Sequence, residues 1–517
     1  MLEINNFSIV SKKDNRYLIK GLSLVLRPND KIAIIGEEGN GKSSLIKAIV
    51  NKALVEEYCV CSGQIKLGVG VSVGYLQQQL PTTWNSEDVL NFFLKPAPDG
   101  EIDYDKYLLM EEISAELSKL GLNPKLLESE QKIGSLSGGE KVKLQLAKVL
   151  VDKPDILLLD EPTNDIDIST LEFMERFIKE ATQSVIFVSH DEALLEVAAN
   201  AILHIEQVKR KTEPRWVFER IGYKEYAEKR LHNLARQESI AKKQRSEFDA
   251  KQERWQRVFN KVEHQQTTIS RGDPHGGQLL KKKMQTLKAQ ERRLEKQEQD
   301  MVELPNVEEG IKFRLSSEAS FPAGKTLIEL DLPELKTVDR VLAQNVRLVV
   351  KGPERVVITG KNGTGKTTII KELLARLRAR ADIKLGYMPQ NYDELVDAET
   401  LAVDFLSKSV SKQDVGRART LLGSMKFTEE EMFYKFGSLS GGQKAKLFLL
   451  KLIVDECDVL LLDEPTRNLS PLSSPTIRRV LADFSGVIIA VSHDRKFIEE
   501  VATVVYALDK NGLAKNW

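Results

Sequence analysis

A chain of 517 residues exceeds what one hydrophobic core supports and predicts about three domains. Its 76 Lys+Arg balance 76 Asp+Glu, and 41% hydrophobic with 29% charged residues is an ordinary globular composition. No apolar run approaches the roughly 18 residues of a membrane span, MLEINNFSIV lacks the basic stretch of a secretory leader, and the three cysteines (Cys59, Cys61, Cys457) give neither a disulfide framework nor two-residue zinc spacing. These features argue against membrane insertion and for a cytoplasmic location with reduced thiols.

The first motif is GEEGNGKSS at 36–44, of the form GxxxxGK[ST]. Its glycines let backbone N–H groups close around phosphate oxygens at a helix N-terminus, where the macrodipole favours anions. Gly36, Glu37, Glu38, Gly39, Asn40, Gly41, Lys42, Ser43 and Ser44 are therefore candidate nucleotide-binding residues, with Lys42 reaching the β- and γ-phosphates and Ser43 binding Mg²⁺. VGYLQQ (73–78), GSLSGGEK (134–141), ILLLDEPTND (156–165) and VSHD (188–191) follow. The apolar strand ILLL delivers Asp160 to a metal shell and Glu161 to an attacking water as general base. His190, after a β-rich run and a serine, is placed to hydrogen-bond a γ-phosphate.

The middle of the chain differs in kind. Residues 221–300 hold 19 Lys/Arg against 12 Asp/Glu, while the remainder holds 57 against 64, so a polyanion contacted at one place is expected. From about 223 to 302 the sequence is rich in good helix formers. Ala227, Leu234, Ala241, Phe248, Trp255 and Val262 recur every seven residues, as do Leu280, Leu287, Leu294 and Met301. The companion positions are only partly apolar (Leu231 and Phe259, against Glu238, Arg245 and Gln252), which predicts a narrow two-helix antiparallel packing rather than a bundle. In RGDPHGG, Gly272, Pro274, Gly276 and Gly277 are expected to stop one helix and reverse the chain. The tip, about 269–284, concentrates Arg271, Lys281, Lys282 and Lys283, with Lys288 close by, as candidate polyanion contacts. The second arm spans roughly 40 Å, and the longer first arm is expected to bend or break near its base. A solvated spacer is the plainer alternative, but it would need neither to fold back nor to gather lysines at its tip.

Beyond the insert the first set of motifs returns. GKNGTGKTT at 360–368 supplies Gly360, Lys361, Asn362, Gly363, Thr364, Gly365, Lys366, Thr367 and Thr368 as the second nucleotide-binding loop. LGYMPQ (385–390), GSLSGGQK (437–444), VLLLDEPTRN (459–468) and VSHD (491–494) follow, displaced by 303 residues from the signature to the final histidine. Asp463 and Thr367 repeat the metal-holding pair, Glu464 the base and His493 the phosphate contact. The fold class is α/β: two tandem P-loop domains, 1–215 and 313–517, joined by an antiparallel α-helical coiled-coil hairpin at 216–312.

LSGGE and LSGGQ, lying between a glutamine loop and an acidic strand, resemble the signature of the ATP-binding cassette (ABC) ATPases. That resemblance implies two ATP molecules sandwiched between two cassettes. Ser137, Gly138 and Gly139 would complete the site of Lys366, and Ser440, Gly441 and Gly442 that of Lys42. Gln78 and Gln390 match the glutamine loops that approach Mg²⁺ and the water. Two departures imply unequal sites. Where the family resembles PTNHLD, the first cassette keeps Asn164 and Asp167 in PTNDID, whereas PTRNLS puts Arg467 and Ser470 in the second. Tyr17, 25 residues before Lys42, is either an adenine-stacking ring or a half-buried strand residue, and Val341 takes its place before Lys366.

Paired cassettes around a charged helical linker resemble the ABC-F family, and KFRL at 312–315 resembles the strand by which that linker re-enters the second cassette. Membership implies a monomer that hydrolyses ATP, binds the ribosomal E site and directs its hairpin at P-site tRNA, rRNA and the peptidyl-transferase region, as a translation factor or in antibiotic resistance. Between glutamine loop and signature the intervals are 59 and 50 residues, so no large extra arm is expected in the first cassette; only 24 residues follow His493, so neither is a basic tail. The alternative is the fused ATPase subunit of a transporter with separate membrane chains, which gives no reason for a basic hairpin. Zinc- or cluster-bearing cassette proteins are disfavoured by the three cysteines.

Overall fold

The computed structural model describes residues 2–163, 166–208, 212–268, 274–299, 301, 322–337, 340–409 and 411–516, of which 274–277, 298 and 299 by backbone alone. Asn164, Arg271, Gly272 and KFRL at 312–315 lie outside the described residues. The chain divides into one compact unit of residues 1–224 and 308–517, which holds both cassettes, and a second of residues 225–307.

Each cassette is built on a six-stranded sheet with the same strand order. In the first, Val73–Leu76, Ile156–Asp160, Ser184–Val188, Lys31–Ile35 and Ala201–Val208 run parallel, and Glu213–Glu219 closes the edge antiparallel. In the second, Leu385–Met388, Val459–Asp463, Val487–Val491, Arg355–Gly360 and Val504–Asp509 run parallel, with Gly512–Lys515 antiparallel. The central strands are buried along their whole length. Helices cover both faces of such a sheet, so its strands read as unbroken apolar runs rather than alternating ones. The first sheet continues through Glu213–Glu219 and the helix that follows starts at Tyr223, so the first cassette extends past the expected boundary at residue 215.

A smaller antiparallel layer packs beside each main sheet. Tyr17–Leu26, Leu2–Ser11 and Cys59–Leu67 form three strands in the first cassette; Thr326–Lys336 and Val341–Lys351 form two in the second. Tyr17 and Val341 open equivalent strands.

Two helices make up most of the second unit: Tyr223–Thr268, whose first two residues belong to the cassette unit, and Pro274–Gln299. The first runs unbroken for 46 residues, without the expected break, because no Gly or Pro interrupts its hydrogen-bond ladder. The second begins at Pro274, so Gly276 and Gly277 sit in its first turn rather than in the chain reversal. Proline suits that first position because its missing N–H would have no helical partner there. Val262, Leu280 and Leu287 form a thin seam with Trp255, Phe259 and Met284, and the Trp255 indole donates to the Leu287 carbonyl at 3.0 Å. Leu231, a companion position, is exposed and unpacked.

Candidate functional site

Both phosphate loops follow a buried central strand and open a helix, Lys42–Val50 in the first cassette and Lys366–Arg378 in the second. Gly36 and Gly360 have φ of 149° and 146°, and a Cβ there would meet the carbonyl oxygens of Ile205 and Leu508 at 2.1 and 2.5 Å. Only glycine lets this loop lie so close to the neighbouring strand. Asn40 secures the same contact, its side-chain amide donating to the Ile205 carbonyl at 3.2 Å. The Lys42 ammonium donates to the carbonyls of Gly36 and Glu37 at 2.9 and 3.0 Å, and Lys366 to those of Gly360 and Lys361 at 2.9 and 2.8 Å. Burial lowers the pKa of both lysines, opposed by Glu161 and Glu464 respectively.

The acidic strand ends bring the remaining residues in. Ser43 donates to Asp160 at 2.8 Å, and burial raises the carboxyl pKa of Asp160 against that bond. Asp463 is raised by burial too, opposed by the facing Thr367, and both its oxygens are buried without a hydrogen-bond partner among the described residues. Glu161 accepts from the Gln78 amide at 2.7 Å, with His190 Nε2 at 3.4 Å from its other oxygen. Glu464 accepts from the His493 backbone N–H at 3.2 Å, and His493 Nε2 lies 3.8 Å away. Glu161 and Glu464 have φ of 49° and 54°, a left-handed conformation that costs a non-glycine residue energy and that here aims each carboxylate back at its phosphate loop. Nothing in the sequence marks that strain.

A cavity of about 510 Å³ opens at the second loop, lined there by Gly363, Gly365, Lys366, Thr367, Thr368 and Asn362. Gln390, Asp463, Glu464 and His493 share it, while Thr163, Ile166 and His190 of the first cassette form the facing wall. Ser137, Gly138 and Gly139 do not occur among its described lining residues. Burial pushes Glu464 up to about 8, opposed by the His493 N–H, and takes His493 down to about 4, with Lys366 adding to the drop. A carboxyl raised in the fold costs stability as pH climbs from its ordinary 4.5 to about 8. Glu464→Gln should therefore stabilise the nucleotide-free protein little at pH 5 and most at pH 8; thermal unfolding at the two pH values checks this.

The cassettes meet across the first loop. Gly442, in the signature of the second cassette, donates its backbone N–H to Glu38 at 2.5 Å. The Leu469 carbonyl of the second cassette lies 2.8 Å from His190 Nδ1. Ser470, one residue on, is buried and bonded to Ser473 at 2.9 Å. Asp167 instead feels His493 and Lys366; burial raises its carboxyl, but bonds from Ser169 and Thr170 bring it below its ordinary value. Ser137 and Ser440 each cap a signature helix through a capping box, with Glu140 and Gln443; S-x-x-E/Q is a legible local signal. Tyr17 is 42% exposed, with the Lys20 ammonium over its ring at 5.2 Å. Its neighbour Leu18 packs on Gly41.

Sequence reasoning did not reach the charged contacts between cassettes. Arg478, 2% exposed, holds Glu192 through two bonds of 2.7 and 3.1 Å and Glu500 through two of 2.9 and 3.1 Å. Arg495 pairs with Glu175, and Lys496 with Glu196 at 3.1 Å. No local pattern announces partners about 300 positions apart.

Comparison with known proteins agrees with this geometry. The family model described as ABC transporter matches residues 19–164 and 343–467. The ribosome protection protein VmlR of Bacillus subtilis is 28% identical over the whole chain and 88% of its own length. ABC transporter F family member 5 of Arabidopsis thaliana is 24% identical, covering 95% of this chain and 73% of its own. In fold the chain resembles an archaeal ribosome recycling factor solved with a ribosomal stalk protein, with a TM-score of 0.58 at 16% identity, covering 99% of this chain and 90% of that one. Among the described residues no helix is long and apolar enough to cross a membrane. Two P-loop cassettes of one strand order, each with its signature and acidic strand, thus make the chain an ATP-binding ATPase that belongs to the ABC transporter family, in its ABC-F group.

Proposed function

We propose that the chain is a ribosome-associated ATPase whose hairpin meets ribosomal or transfer RNA from the E site, in the cytoplasm. The observation that carries this reading is the hairpin: two long helices with a thin apolar seam and the exposed lysines Lys281, Lys282, Lys283 and Lys288 in the first half of the second helix. Such an element adds little to a core and presents charge to a polyanion. A relative named for ribosome protection supports the same direction.

In this reading Lys42 and Lys366 hold phosphates, and Glu161 and Glu464 orient and deprotonate the attacking water beside Gln78 and Gln390. His190 and His493 steady the γ-phosphate. Ser43 with Asp160, and Thr367 with Asp463, suit a hard divalent cation; the buried, unpartnered oxygens of Asp463 are the donor type such an ion takes. Mg²⁺ there would neutralise charge on the phosphates. Closure around ATP orients the hairpin, and hydrolysis reopens the cassettes.

Changing Lys281, Lys282 and Lys283 together to Ala tests the reading. Exposed substitutions cost within about 0.5 kcal/mol, so melting temperature and ribosome-free ATPase activity should hold. Ribosome binding should weaken, and its log–log salt slope should flatten by about 0.7–0.9 for each phosphate that the lysines no longer neutralise. Wild-type binding across a salt series would make the hairpin a spacer.

A further inference from the structure

The first phosphate loop differs from the second in carrying two carboxylates, Glu37 and Glu38, where the second has Lys361 and Asn362. Both carboxylates reach into the second cassette. Glu38 accepts from the Gly442 N–H, near the start of the helix Gly441–Val454. Glu37 lies 3.3 Å from the Lys426 ammonium and 3.7 Å from that of Lys446. Gly442 permits the approach: a Cβ there would meet the Asn468 carbonyl at 2.8 Å and Glu38 Oε2 at 3.3 Å. An anion from one cassette thus sits on the signature of the other, where the helix N-terminus favours negative charge.

We propose that Glu38 is a specificity-determining residue of the Lys42 site, a built-in competitor for the signature N–H that a γ-phosphate would otherwise take. The proposal rests on the reading that Ser440, Gly441 and Gly442 complete the site of Lys42. ATP must displace the Glu38 carboxylate to engage Gly442, and it does so against like charge. ADP has no third phosphate and need not displace it. Glu37, held between Lys426 and Lys446, keeps the loop docked while Glu38 exchanges. The Lys42 site therefore discriminates less between ATP and ADP than the Lys366 site, whose loop carries no acid.

Calorimetric titration of the full chain with Lys366→Ala, which isolates the Lys42 site, tests this with ATP and ADP in parallel. Glu38→Gln should strengthen ATP binding about fivefold and leave ADP binding unchanged, and Glu38→Ala should do the same. A gain in affinity for one nucleotide cannot arise from misfolding. Ser440→Arg, which blocks the signature, is the control and should weaken ATP selectively. If Ser440→Arg weakens ATP but the Glu38 variants leave it unchanged, or shift both nucleotides equally, the competitor role is overturned. If Ser440→Arg has no effect, the shared-site reading falls, and the proposal with it.

Discussion

The double variant Glu161→Gln, Glu464→Gln is expected to bind ATP as the native chain does and to hydrolyse it about 10²–10⁴-fold more slowly, the range a positioned general base supplies. Gln keeps the shape that the left-handed backbone at both positions presents, and the strand-to-strand bonds that hold it, Glu161 N–H to Val188 O at 3.1 Å and Glu464 N–H to Val491 O at 2.9 Å, are untouched. Lys42, Lys366 and the Ser43–Asp160 pair also stay in place, so the loss should fall on turnover and not on affinity. The single variants should be unequal, with Glu464→Gln the more damaging. Asp167 of the first cassette feels Lys366 and His493, whereas Ser470, the residue at its position in the second, turns its hydroxyl into its own loop. Single-turnover and steady-state rates of the three variants check both statements. Native rates in the double variant, or a larger loss from Glu161→Gln alone, would contradict them.

Arg478→Met should be the most destabilising substitution at the contact between cassettes. The guanidinium is buried, and burial raises the carboxyl pKa of Glu192 while Arg478 opposes that rise. Removing the cation leaves a buried carboxylate whose ordinary partner is gone, a change that costs about 3–5 kcal/mol. Adding Glu192→Gln should recover part of the loss, because the charge left unpaired is then absent. Thermal unfolding of the two single variants and the double variant gives the coupling directly. Additive losses would mean the pair contributes no more than two isolated surface charges.

The cassettes were legible because their chemistry is local. GxxxxGK[ST], the signature and the Asp–Glu pair after an apolar strand each need neighbours in sequence, and each lands on the element its pattern implies. The hairpin seam was legible through Val262, Leu280 and Leu287, whereas Leu231 shows that a heptad companion need not pack where the second arm is shorter. The start of the second helix was misread because Gly276 and Gly277 look like turn residues, while Pro274 is also a good first helical residue. The contacts of Arg478 with Glu192, Glu38 with Gly442 and His190 with Leu469 join positions 286, 404 and 279 apart. Such pairs follow from how two sheets of equal topology face each other, which no single segment encodes. The strained Glu161 and Glu464 are likewise set by the strand-to-loop geometry around them.

Sedimentation of the Glu161→Gln, Glu464→Gln chain with purified ribosomes, in ATP and in ADP, tests the central claim most directly. Hydrolysis-blocked cassettes held closed on ATP should travel with ribosomes, less so in ADP, and the ATP-dependent fraction should fall steeply with salt because it is held through phosphates. A chain that stays in the supernatant with either nucleotide at low salt, or that partitions with membranes instead, would contradict the account.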